Sequence, residues 1–401
     1  MDLKSGYPFF LLESGLAYSY PKLESSLEAD VIIIGGGISG ALAAYYLVNE
    51  GIRCLLIDGR TIGMGSTSAS TSLLQYEIDT PLSNLVHQVG TARALRAYEI
   101  GVDAIHSMAE IARSISFKEY QFKQSLYYAA YYKDLKFLKE EFAIRKKFGF
   151  KVSYLEKDDV KNEYGFEAPG AILSATAAQT NAYLFTHALL QYSIKKGLQV
   201  FDRSHVKTIK HSRKSVILTT ENGQTLKSKK LVYATGYEAV KYIDQKIVDL
   251  HSTYACISEQ TNEEKIFWKD NVLLWNTANP YLYMRTLKDR RILVGGRDEH
   301  FYDPKKRDRL MSAKTKQLVK DFHQLFPEKD FIPEFSWSGT FGATKDGLPF
   351  IGNYRKLPNS FFALGFGGNG ITFSLVAAEI LRDNIIGKKN KDAAIFSFDR
   401  K

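Results

Sequence analysis

Two glycine triads stand near opposite ends of the sequence. Gly35-x-Gly37-x-x-Gly40 lies in "ADVIIIGGGISGALAAYYL", and Gly365-x-Gly367-x-x-Gly370 lies in "FFALGFGGNGITFSLVAAEIL". Glycine at this spacing brings bare backbone to the start of a helix, where free N–H groups and the helix dipole stabilise negative charge. In the first triad Gly35 allows a tight turn, Gly37 lets backbone approach a pyrophosphate, and Gly40 lets the helix pack on the strand before it. Asp58, 18 residues beyond Gly40, ends the next apolar run and is placed to accept hydrogen bonds from a ribose. The second triad has a strand before it and a helix after it, but only fifteen residues follow Ile386, too few for a further strand and crossover. A second adenosine site is therefore not expected. Its helix terminus suits the electron-rich pyrimidine edge of a reduced flavin, so the two triads are read as halves of one site.

The elements that must position these residues follow from periodicity. Residues 30–34 form a buried strand, 38–50 a helix and 52–58 a second buried strand, which is the opening unit of a doubly wound sheet. A loop of glycine and hydroxyl residues, "GMGSTSASTS", follows at 63–72. Helical patterns cover 84–115, 133–148 and 180–197, the last capped by Thr180 or Asn181. The stretch 206–236 alternates as a small meander with a hairpin signal at Asn222-Gly223. Strand-like runs fill 250–300, and the chain closes with strand 360–364 and helix 371–386. The expected domains are interleaved: residues 1–80, 152–243 and 336–401 bind the nucleotide, and residues 81–151 and 244–335 bind the substrate.

Bulk properties set limits. The 401 residues, 45% apolar and 24% charged, are those of an ordinary two-domain globular protein. The net charge of +10 is dispersed over short lysine- and arginine-rich runs, which reads as solvated faces and not as a nucleic-acid surface. Cys54 and Cys256 fall in strand-like runs and read as core residues. No Cys/His cluster has metal spacing, so no metal is expected. No run reaches eighteen apolar residues, and a cytoplasmic setting with no transmembrane segment is expected.

Taken together, "ADVIIIGGGISGALAAYYL", "GSTSASTS", "LVYATGY", "LVGGRDE", "SWSGTFGATKDGLPFIG" and "GFGGNGITF" resemble the FAD-dependent oxidoreductases of the D-amino-acid oxidase and glycine oxidase type, with the amine-oxidising branch the nearest look. The resemblance implies an α/β fold, FAD/NAD(P)-binding and of glutathione-reductase type, with an interleaved antiparallel-sheet substrate domain (an α+β insert). It implies FAD contacts at Gly35, Gly37, Ile38, Ser39, Gly40, Asp58 and Gly59. Ser66, Thr67, Thr71, Ser72 and Leu73 would line the pyrophosphate and flavin, and Val206 would meet adenine. Ala234, Thr235 and Gly236 would close the nucleotide side. Gly367, Gly368, Asn369, Gly370, Ile371 and Thr372 would cradle the flavin pyrimidine. Position 339, near the family's covalent cysteine, is glycine, so the FAD is expected to be non-covalent.

Departures from the family pattern bear on substrate. The two arginines that grip a substrate carboxylate in glycine-oxidase-like members are here Phe341 and Gly368. Each lost clamp removes a charge-assisted contact of about 1.5–3 kcal/mol. An amine without an α-carboxylate is therefore expected, oxidised at its C–N bond by hydride transfer to the flavin, with dioxygen or an unknown acceptor taking the electrons. Gln75 and Glu77, after the loop that should cross the flavin, are candidates to meet it, with Glu77 binding a cationic tail or else facing solvent. Arg285 is a candidate for a distal carboxylate or for a structural ion pair. Tyr283 and Tyr254 are expected in the pocket wall or the core, and Trp337 and Phe341 as an apolar lid. His251 reads as structural and Asp346 as fixing a turn. The competing readings are an amino-acid oxidase that relies on Arg285, an NAD(P)-dependent dehydrogenase, and a flavoprotein subunit that serves a partner.

Overall fold

The computed structural model describes residues 1–261 and 267–400. Strand Leu27–Ile34 is apolar on both faces because both are covered. Val31 and Ile33 meet the helical side of the sheet, while Ile32 and Ile34 meet the opposite side. It is the central member of a parallel set ordered Ser360–Leu364, Thr225–Tyr233, Leu27–Ile34, Cys54–Ile57, Gln199–Phe201. Phe350–Asn353 adds an antiparallel edge, and the meander Val206–His211, Val216–Thr220 hangs on Thr225–Tyr233. The strand order reverses between Leu27–Ile34 and Thr225–Tyr233, so a crevice opens beyond Ile34 and Tyr233, where such sheets bind ligands.

The second sheet has ten strands. It runs Lys4–Gly6, Pro333–Ala343, Asp249–Ser258, Ile292–Glu299, Tyr283–Thr286, Leu273–Asn276, Gln121–Tyr128, Gly170–Gln179, Leu73–Gln75, with Val152–Glu156 also on Gly170–Gln179. All its pairs are antiparallel except Leu273–Asn276 with Gln121–Tyr128. Helix Pro304–Leu325 packs on it through Leu318 and Phe322.

Several expected boundaries are corrected. By sheet membership, 152–179 and 333–343 go with the second sheet and not the first, because their pairing partners lie there. The reverse holds for helices Leu82–Val89 and Thr91–Ser114, whose apolar faces enter the same core as Val31 and Ile33. Their expected single helix is broken at Gly90, which has φ of +82°. The other helices lie close to expectation at Leu135–Lys147, Ala182–Lys195 and Gly370–Ile385. Asn181 caps the second of these by accepting the Leu184 N–H at 3.0 Å. Both cysteines are free and buried, and burial pushes each thiol up to about 12. Among the described residues no helix is long and apolar enough to cross a membrane, and no three His, Cys, Asp or Glu side chains are grouped to hold a metal.

Candidate active site

The two glycine loops meet. Helices Ile38–Asn49 and Gly370–Ile385 pack side by side, and Ser39 Oγ lies 2.7 Å from Ser374 Oγ near their first turns. Both helix starts border one cavity of about 540 Å³ that runs between the two sheets. It extends from His205 and Val206, past Gly35–Ser39 and Thr71–Leu73, to Gly367–Ile371 and an aromatic end formed by Trp275, Tyr281, Tyr283 and Phe341.

The near half of this cavity fits a dinucleotide. Gly35 has φ of +110°, and a Cβ there would strike the Ala234 carbonyl, which is the turn closing the nucleotide side. A Cβ on Gly37 would reach Thr67 Oγ1 at 2.8 Å, and one on Gly59 would reach the His205 ring at 2.9 Å. Gly40 lies under the helix and not in the cavity wall, where any side chain would collide with the Gly35 carbonyl. Asp58 accepts the Gly36 and Arg60 N–H groups, each at 2.7 Å, and burial raises its carboxyl despite them. Asp58 borders the cavity, and each of its oxygens has accepting capacity beyond these two bonds. Gly37 supplies no side-chain cap to the first helix, so the helix start is left for an anion.

The loop that separates the two halves is held from both sides. Ser72 sits at φ of +57°, which is costly for a residue with a side chain. Arg285 Nη1 donates to the carbonyls of Thr71 and Ser72, each at 2.9 Å, and of Thr180 at 3.1 Å. This guanidinium is buried without a carboxylate partner, and burial pulls it down to about 9. Arg285 is outside the cavity wall, so the expected role at a distal carboxylate is corrected: its Nη1 is spent on three backbone carbonyls, and its buried Nε meets no partner among the described residues. On the other side Asn369 Nδ2 donates to the carbonyls of Gln75 at 3.0 Å and Glu77 at 2.8 Å, and the Thr372 hydroxyl donates to Gln75 at 3.4 Å. Thr372 thus braces the strand and does not border the cavity.

Glu77 is also corrected. Its side chain is fully buried just beyond strand Leu73–Gln75, accepting from Ser174 Oγ at 2.5 Å and paired with Arg145 at 3.3 Å. Arg145 in turn meets Glu141 at 2.7 Å, and only the Glu77 main chain borders the cavity at Asn369. Gln75 does border it, with Nε2 donating to Ser125 Oγ at 2.9 Å. Tyr283, Tyr254, Trp337 and Phe341 all line the cavity. Tyr283 lies across Gly295, where a side chain would collide with its ring. Phe341 stacks on His251 at 5.2 Å, and Trp337 Nε1 donates to the Ala69 carbonyl at 2.9 Å. Asp346 fixes the turn as expected, accepting the Leu348 N–H at 3.1 Å.

The carboxylates that reach the aromatic end are Asp79 and Asp298. Asp79 Oδ2 accepts the Gly368 N–H at 2.8 Å and Oδ1 accepts the Tyr281 hydroxyl at 3.2 Å. Its exposure is to the cavity, and the surrounding protein raises its carboxyl by desolvation. A Cβ on Gly368 would fall 2.7 Å from Tyr281 Oη and 2.8 Å from Asp79 Oδ1. The carboxylate therefore occupies the space into which an arginine at that position would grow. Neither acid was singled out from the sequence, although "LLQYEID" and "LVGGRDE" hold both.

One cavity bordered by two glycine-turn helix starts, with the buried Asp58 beside the first and an aromatic end beside the second, is the arrangement a flavin-dependent oxidoreductase requires. The chain belongs to the family described as DAO, FAD dependent oxidoreductase, whose model matches residues 30–384. It is 23% identical over 383 residues to the gamma-glutamylputrescine oxidoreductase of Escherichia coli, covering 92% of this chain and 86% of that one. It is 22% identical over 388 residues to the glycine oxidase of Bacillus subtilis, covering 93% and 97%. The glycine oxidase structure from Geobacillus kaustophilus superposes with a TM-score of 0.78 at 20% identity, covering 93% of this chain and 99% of that one.

Proposed function

We propose that this enzyme uses non-covalent FAD to oxidise the C–N bond of an amine that carries no α-carboxylate. The observation behind this reading is the Asp79 carboxylate standing beside Gly368, where a carboxylate-gripping arginine would project. An ionised acid on the cavity wall, met there only by neutral donors, carries an unpaired charge, and a cationic ligand compensates it. A substrate carboxylate at the same place would be repelled. Of the two relatives, one is named for an amine and the other for glycine, and the charge of this site sides with the amine.

Bound FAD supplies the hydride acceptor. The chain's part is to hold the ammonium group at Asp79, exclude water with Tyr281, Tyr283 and Phe341, and orient the carbon beside the nitrogen. The surrounding protein raises the proton affinity of Asp79, so the carboxylate that grips the ammonium is also the proposed acceptor of its proton, which leaves the nitrogen lone pair free. The oxidised product leaves as an iminium ion, which water hydrolyses to a carbonyl compound and ammonia, or an amine where the nitrogen carries a second carbon. Dioxygen is the proposed electron acceptor and the cytoplasm the proposed location. Anaerobic bleaching of the purified yellow protein by a panel of amines and α-amino acids tests the reading. Amines are expected to bleach it and amino acids to fail; bleaching by glycine or D-alanine in preference to every amine would overturn it.

A further inference from the structure

The aromatic end of the cavity carries a second acid that binding of a single ammonium leaves unused. Asp298 lies near the end of strand Ile292–Glu299 and borders the cavity with Thr253, Tyr281 and Tyr283. Its orientation is set by an irregularity of the sheet. Gly296 pairs with Tyr254 and Glu299 pairs with Ser252, so one extra residue is accommodated on this strand. Arg297 takes up the bulge at φ of +58° and turns outward to a salt bridge with Asp321. Bulges re-aim side chains beside active sites, and here the residue turned inward is Asp298.

Among the described residues no cation is paired with it, and only the neighbouring Thr253 hydroxyl offers it a hydrogen bond that favours the charged form. Asp298 Oδ1 is buried with no hydrogen-bond partner among the described residues. Lys314, the cation that influences it, is engaged by Glu299 at 2.5 Å and rests over the Tyr254 ring. Burial pushes the carboxyl up to about 6, with the charge of Asp79 adding to the effect. Tyr281, which donates to Asp79, senses both acids, so the two carboxylates flank one aromatic wall. Trp275, Tyr281 and Tyr283 there suit a methylene chain and the flank of a cation.

We propose that Asp298 is a second cation subsite and that the substrate is a diamine-type molecule, with one cationic nitrogen at Asp79 and the other at Asp298. The inference rests on the amine reading above and deepens it. Enclosed like charges repel each other until a dication joins them, whereas a monoamine leaves one acid uncompensated. Aliphatic spacing between the nitrogens follows from the apolar wall between the acids.

The test compares putrescine with butylamine, which share a carbon chain and differ by one terminal ammonium. Affinity is read on the holoenzyme under anaerobic conditions from thermal shift and from perturbation of the flavin spectrum, so it does not depend on turnover. Putrescine is expected to bind roughly ten- to a hundredfold more tightly than butylamine. In Asp298→Asn the ratio should fall to about one, with butylamine affinity nearly unchanged. Equal affinities in the unaltered enzyme, or a putrescine preference that survives Asp298→Asn, would overturn the subsite. If Asp298→Asn loses its flavin, Thr253→Val serves as the second variant, where a reduced ratio supports the subsite and an unchanged one counts against it. Bleaching by monoamines with no diamine preference would leave the amine reading standing and remove only this inference. Tight putrescine binding without bleaching would do the reverse.

Discussion

Replacing Asp79 with asparagine isolates charge from shape. The carboxylate accepts one bond from the Gly368 N–H at 2.8 Å and one from the Tyr281 hydroxyl at 3.2 Å. In Asp79→Asn the amide oxygen can keep the Gly368 bond, and the amide nitrogen can donate to Tyr281 Oη, since a phenol hydroxyl also accepts. The loop should therefore hold its shape and the flavin spectrum should stay as it is. What disappears is the charge facing the ligand. A hydrogen bond to a charged group contributes about 1.5–3 kcal/mol, and about 1.4 kcal/mol corresponds to a factor of ten. The dissociation constant of the amine should rise roughly 10- to 150-fold. Anaerobic stopped-flow measurement of flavin bleaching against amine concentration separates this constant from the limiting rate. An Asp79→Asn enzyme with full flavin content and an unchanged dissociation constant would refute the assignment of Asp79 to substrate. Loss of flavin with unchanged affinity in the remaining holoenzyme would make it a cofactor-loop residue instead.

Further outcomes are expected elsewhere in the molecule. The preference for diamine over monoamine should fade as pH falls through about 6, because Asp298 then takes up a proton and loses its charge; affinity ratios across that range check it, and a ratio that rises on acidification would contradict it. Gly40→Ala would press a methyl group into the Gly35 carbonyl, with its Cβ only 3.0 Å from the carbonyl carbon, so the helix must lift from the strand. A loss of about 1–3 kcal/mol with poor flavin retention is expected, and wild-type flavin content and melting temperature would refute it. Arg145→Met would strand Glu77 and Glu141 as buried acids without a cation, at a cost of about 3–5 kcal/mol in urea unfolding. Amine affinity in the folded Arg145→Met enzyme should not change, and a selective loss of affinity would restore Glu77 to the substrate site.

The geometry around the first glycine triad was readable because its signals are local. A strand, a glycine turn, a helix and an acid at the end of the next strand all fall within Leu27–Asp58, and each glycine is required by a backbone approach a few residues away. The two triads converge, and the Ser39–Ser374 contact embodies it. The substrate half depended on partners far along the chain. Glu77 and Asp79 are two residues apart in one acidic run, and sequence alone gives no reason to prefer either. Arg145, 68 residues on, claims Glu77, while the turn after Gln75 delivers Asp79 to Gly368. Arg285 could not be told from a ligand clamp without seeing three carbonyls gathered around it. Asp298 depends on a one-residue bulge that alternation of residue types does not record. Strands departed from the expected division for a related reason, since sheet membership is fixed by the partner strand and not by the strand's own residues.

The braces between the early strand and the late loop set an order of events. Asn369 fastens to Gln75 and Glu77 almost three hundred residues upstream, and strand Ser360–Leu364 lies beside Thr225–Tyr233 in the parallel sheet. During synthesis the chain must therefore leave the ribosome as far as Asn369 before the two glycine loops can border one cavity. Until then the first βαβ unit stands without its partner helix. Cofactor capture would thus wait on the late loop, and a nascent chain stalled before Gly365 should emerge pale however well its first two hundred residues had folded.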